Sequence, residues 1–263
     1  MSSYKGHTLF ALILSLLFFH NPLIVALTVI GANIPDFDHK FKRDTVYKII
    51  ILGLVLFIVL YMLKLPYLLG LIVLFLGLTF YFSQHRSFTH SIFGLFVLTA
   101  TVSLILIFAS ELIPFSNAYI LMFILIILIG VLFLNTQLLA IFIVCFVLSI
   151  LFFGPISINY IEVAFGLFLG ILSHIVLDSF SPAGIKLFAP ISSKKVYKKF
   201  GMVIIVILAI LAIFYYIYYG NFFVDLILGF LRPMINYNQN LYTSLYKPHF
   251  HEFMDLSNCC RFI

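Results

Sequence analysis

Residues 85–113 read HRSFTHSIFGLFVLTATVSLILIFASELI. Between Ser91 and Ser110 the stretch has no acidic, basic or histidine side chain. That is long enough for one α-helix to cross the roughly 30 Å hydrocarbon core of a bilayer. Two histidines and an arginine stand directly in front of it. The same alternation of long apolar run and short polar cluster recurs along the chain. Of 263 residues, 64% are hydrophobic and 9% charged, and the mean hydropathy is +1.21. Such a composition excludes a soluble domain. The apolar runs are continuous, without the alternating ten-residue segments of a transmembrane barrel. The fold class is therefore all-α, a polytopic transmembrane helical bundle.

Working outward, about seven spans are expected: Ile49 to Leu63, Pro66 to Phe82, Ser91 to Ile113, Ala118 to Leu134, Leu138 to Phe153, Ile161 to Phe180 and Gly201 to Tyr219. An earlier apolar run, Thr8 to Ile30, is split by His20-Asn21-Pro22, because proline breaks the backbone ladder. It makes either one kinked helix or a re-entrant hairpin of two short helices. The hairpin is favoured, since it returns Lys5 and His7 to the face that carries Asp36. A signal peptide is disfavoured because no A-x-A-like cleavage site precedes Asp36. Residues 1–220 then form one transmembrane helical domain, and 221–263 an interfacial C-terminal tail.

The formal charge is +6, with an isoelectric point near 9.2. The basic residues are scattered through loops without a basic domain, so nucleic acid is not an expected partner; membrane lipid is. Counting crossings places Lys5, Lys40, Lys42, Arg43, Lys48, Arg86, Lys186, Lys194, Lys195, Lys198 and Lys199 on one side, against Lys64 in the opposing loops before the tail. The positive-inside rule makes that side cytoplasmic in the cell membrane. Cys145, Cys259 and Cys260 form no CxxC pair or disulfide framework. The last four residues have the length of a prenylation box, but arginine at an aliphatic position argues against lipidation.

Three polar clusters fall on the basic side: Gly31 to His39, His85 to Ser91 and His174 to Asp178. Ionisable groups in membrane spans are costly and mark function. Asp36 and Asp38 follow Pro35 as a D-x-D pair able to converge on a hard cation, although they would also suit a solvated loop. His85 and His90, five apart, do not share a helical face and would converge through a turn. Arg86 offers a planar fork for phosphate or carboxylate. His174 and Asp178 stack at i,i+4. Asp178 is either a second ligand or the carboxylate that orients His174. With His39 in the first cluster and His7 returned by the hairpin, the candidate metal ligands are His7, Asp36, Asp38, His39, His90, His174 and Asp178.

The amino-terminal His7, the string G-x-x-x-P-D-x-D-H from Gly31 to His39, His85-Arg-Ser-Phe-Thr-His-Ser, and His174-x-x-x-Asp178 followed by Ser181-Pro182 resemble the YdjM-like membrane-bound metal-dependent hydrolases, in the family's order. The resemblance runs from residue 7 to about residue 190. It implies an integral membrane protein with a metal site and hydrolase activity. The purely apolar spans between the second and third motifs, and the tail from Asn221, have no counterpart in it. Carboxylate and imidazole ligands without thiolate fit zinc, manganese or iron. His85 is the candidate acid or base and Arg86 the anion clamp. A site facing the headgroup layer favours a lipid-linked or phosphoester substrate. Two rivals stay open: an ion or proton transporter using the same cluster, and a scaffold in which metal only fixes the helices.

Overall fold

The interrupted amino-terminal run folds back on itself. Helix α1 (Tyr4–Phe18) ends before Asn21, whose side chain accepts from the Leu23 amide and caps α2 (Pro22–Gly31) with proline at its first position. Asn33 donates from Nδ2 to Thr8 Oγ1 at 3.3 Å, although the two are 25 residues apart. One continuous helix would hold them about 37 Å apart. The chain therefore forms the hairpin and not the single kinked helix.

The computed structural model describes residues 4–39, 42–112, 118–153 and 159–219. About 80% of these are helical, with no β-strand among them. After α2 come a 3-10 turn at Pro35–Asp38, α3 (Arg43–Met62), α4 (Leu68–Phe82), a 3-10 turn at Phe88–His90, α5 (Ile92–Leu112), α6 (Ala118–Phe133), α7 (Thr136–Phe153), α8 (Tyr160–Ser179) and α9 (Lys198–Tyr219). Helix α3 begins six residues before the expected Ile49. The polar turn from Arg43 to Lys48 continues the helix, with Asp44 placed in its first turn where the helix dipole favours an anion.

Among the described residues, α3, α5, α8 and α9 are long and apolar enough to cross a membrane, four of the seven expected spans. Helices α1, α4, α6 and α7 are apolar but shorter. At 15 residues α4 is about 22 Å long, less than the hydrocarbon core. Large apolar side chains such as Leu9, Ile51, Phe96 and Leu128 are exposed on several helices, as expected of surfaces that meet lipid.

Helix α2 is buried at every position but Val25. It lies so close to α8 that a β-carbon at Gly170 would strike the Thr28 carbonyl, and one at Gly166 would come within 2.7 Å of the Ile24 side chain. This is small-residue packing of the G-x-x-x-G type. It brings the end of α2 beside the last turns of α8.

Residues Met1–Ala209 form one compact unit, and Ile210–Tyr219, the end of α9, is the described part of a second. The tail 221–263 and the connections 113–117 and 154–158 lie outside the described residues.

Candidate metal centre

Four chain segments deliver polar side chains to one knot within the first unit. His7 comes from the first turn of α1, Asp36 and Asp38 from the turn after α2, His85 to His90 from the α4–α5 connection, and His174 and Asp178 from the end of α8. The segment after α8 closes over this end. The Ile92 amide donates to the Leu187 carbonyl at 2.9 Å, and the Lys186 amide to the Arg86 carbonyl at 3.3 Å.

The tautomers of the two central histidines follow from their other ring nitrogens. His174 Nδ1 lies 2.7 Å from the Ala32 carbonyl, which can only accept, so Nδ1 carries the hydrogen. Thr89 Oγ1 donates to Asp38 Oδ2, so at 3.0 Å it accepts from His90 Nδ1. Neutral imidazoles held in this way both present a bare Nε2. Those two atoms face each other at 3.1 Å. Two lone pairs repel at that distance unless a cation, either a proton or a metal ion, lies between them.

Carboxylates surround the pair. Asp178 Oδ2 is 3.3 Å from His90 Nε2 and 3.8 Å from His174 Nε2, and Asp36 Oδ1 is 3.6 Å from His174 Nε2. His7 Nε2 approaches Asp178 Oδ1 at 3.5 Å, and the His7 ring stacks on His174 with centroids 4.0 Å apart. Ligands 2.0–2.2 Å from a tetrahedral metal stand about 3.3–3.6 Å from one another, so these separations fit a metal. Two sets, His7 with His174 and Asp178, and Asp36 with His85 and His90, each have ligand atoms within 4.8 Å of one another. The buried His/Asp groups could hold a metal ion.

The remaining candidates stand further out. The Asp38 carboxylate is spent on the knot's own support, with Oδ1 2.8 Å from His85 Nδ1 and Oδ2 accepting from Thr89. Burial opposes its charge, but the bonds from His85, His90 and Thr89 outweigh that and hold it well below the usual carboxylate range. Burial likewise works against a charged His90, yet Asp178 and Asp38 raise its pKa to about 9. His39 is half-buried and meets the His85 ring edge-on at 4.8 Å, outside both ligand sets. Arg86 takes the left-handed conformation at φ 60°, a strain of roughly 1–3 kcal/mol for a non-glycine residue, typical of functional sites. Its Nη1 donates to Ser181 Oγ at 3.0 Å and its Nε lies 3.6 Å from Asp178 Oδ2.

Sequence reasoning gave no role to Thr89 or the Ala32 carbonyl. Thr89 sits inside the HRSFTHS string and was legible as a hydroxyl between two histidines. A backbone acceptor carries no side-chain signal.

The model of the YdjM inner membrane protein family matches residues 1–237 of the chain. Searches of the curated proteins and of the solved structures found no match.

Proposed function

The chain belongs to the YdjM inner membrane protein family, and on that premise we propose that it is a membrane-embedded metal-dependent hydrolase. The observation that carries the proposal is the pair of Nε2 atoms of His90 and His174, 3.1 Å apart between Asp36 and Asp178. His90, His174, Asp178 and Asp36 hold the metal, with His7 as a further ligand from α1. Asp38 acts through Thr89, His90 and His85 by fixing their hydrogen bonds, the usual carboxylate support of metal-bound imidazoles. A zinc, manganese or iron ion held there would supply Lewis-acid polarisation of the scissile group and an acidified water.

His85 is 35% exposed at its side chain and bonded to Asp38, a placement that suits a group exchanging protons with substrate. Arg86, braced by Asp178 and Ser181, presents the rest of its guanidinium as an anion clamp. The substrate class is a phosphoester or lipid-linked ester reached from the cytoplasmic face, in a chain that crosses the membrane about seven times. Labelling from the cytoplasmic side of a cysteine placed at Ser193 tests that orientation; labelling only from the opposite side would reverse it.

A transporter needs ionisable groups along a path through the bilayer. The buried His and Asp side chains among the described residues, His7, Asp38, His90, His174 and Asp178, all belong to the one knot, which favours the hydrolase reading. Metal-dependent turnover of phosphoesters by purified protein, abolished by chelation and restored by the metal, is the expected result. Ion flux in proteoliposomes without any turnover would refute it.

A further inference from the structure

A cavity of about 170 Å³ opens beside the knot, with Asp38 and His85 in its wall. Its other polar lining residues are Arg43, whose guanidinium can only donate, and His39, Ser83, Gln84 and Tyr81, which can donate as well as accept. Phe37, Phe80 and Tyr81 supply apolar walls. The single carboxylate, Asp38, already accepts from His85 and Thr89, so each of the other polar groups in the wall can turn a donor to an anion.

Size narrows the ligand. At about 30 Å³ per water the space equals five or six waters. That suits a phosphate ester headgroup, whereas complete small-molecule sites run to about 300–1,000 Å³. Surroundings narrow it further. Tyr47, Tyr81 and Phe82 are exposed around the same ends of α3 and α4, the pattern of side chains that sit at a membrane interface.

Resting on the hydrolase reading above, we propose that this cavity is the substrate's phosphate subsite, in which Arg43, with His39 and Gln84, holds a phosphate ester next to His85. Arg43 is the specificity-determining residue, since its planar fork matches phosphate oxygens. The same chemistry could be presented by a lipid headgroup or by a soluble phosphate ester.

Binding to the purified full chain tests the subsite without requiring turnover. The probes are phosphatidic acid in mixed micelles, glycerol 3-phosphate in solution, and phosphatidylcholine as the lipid without net charge. Phosphatidic acid or glycerol 3-phosphate should bind at least tenfold tighter than phosphatidylcholine. Arg43→Gln should lose about tenfold of that affinity, and Arg43→Lys should recover part of it, with metal content unchanged. Binding of the lipid alone assigns the subsite to a lipid headgroup, and equal binding of glycerol 3-phosphate assigns it to a soluble ester; both support the proposal. Absence of preference, or unchanged affinity in Arg43→Gln, overturns it. Metal-dependent turnover surviving that result would leave the hydrolase reading standing, whereas a metal-free wild-type protein would sink that reading even if phosphate still bound through Arg43.

Discussion

His90 Nε2 and His174 Nε2 stand 3.1 Å apart although 84 residues separate them in the chain. Each ring is fixed from its far side, His174 by the Ala32 carbonyl and His90 by Thr89, which is itself bonded to Asp38. Neither ring can turn away without breaking a buried hydrogen bond, a loss worth about 1–3 kcal/mol. The arrangement is preorganised for a cation.

Asp38 supports the centre from behind, so Asp38→Asn should weaken metal affinity by about 10–100-fold, the usual cost of losing such a carboxylate. Competition against a chelator of known affinity measures it. Unchanged affinity would remove Asp38 from the site.

Arg86 reaches Ser181 and Asp178 through different nitrogens, which one ammonium cannot reproduce. Arg86→Lys should retain its metal and lose phosphoester turnover by about tenfold or more, as for a lost charge-assisted contact. Full turnover in that variant would deny Arg86 its part in binding the anion.

Protons and metal compete for the bare nitrogens. The folded protein raises the His90 pKa to about 9, so below that pH His90 carries a proton that the metal must displace. Apparent affinity should therefore rise with pH between about 6 and 9, with about one proton released per metal bound. Calorimetry in buffers of different ionisation enthalpy reads the release directly, and an affinity independent of pH contradicts it.

Gly170 lets α2 and α8 approach, and those helices lead to the Ala32 carbonyl and His174. Gly170→Val should cost about 1–3 kcal/mol through overpacking. Both the midpoint of thermal unfolding in detergent and the metal content should drop. A variant that kept both would show that the close approach is not needed.

The polar clusters were legible because each breaks an apolar run, and burying ionisable groups without a task is costly. Pro22 after Asn21 likewise announced the turn between α1 and α2. Other features were hidden for physical reasons. Asp36 and Asp38 look equivalent as a D-x-D pair, yet the 3-10 turn sends Asp36 toward His174 and Asp38 toward His85 and Thr89. Only the backbone conformation separates their roles. Gly166 and Gly170 form a G-x-x-x-G signal that composition alone obscures. Four of the seven expected spans reach crossing length among the described helices, because apolar runs such as Pro66 to Phe82 begin outside their helix, leaving α4 at 15 residues.

Elemental analysis of the purified full-length protein beside His174→Ala tests the metal centre most directly. The account predicts about one or two divalent metal ions per chain in the wild type, falling to background in the variant while both remain folded. A wild type free of metal after purification and reloading, or a His174→Ala variant with its full complement, would contradict it.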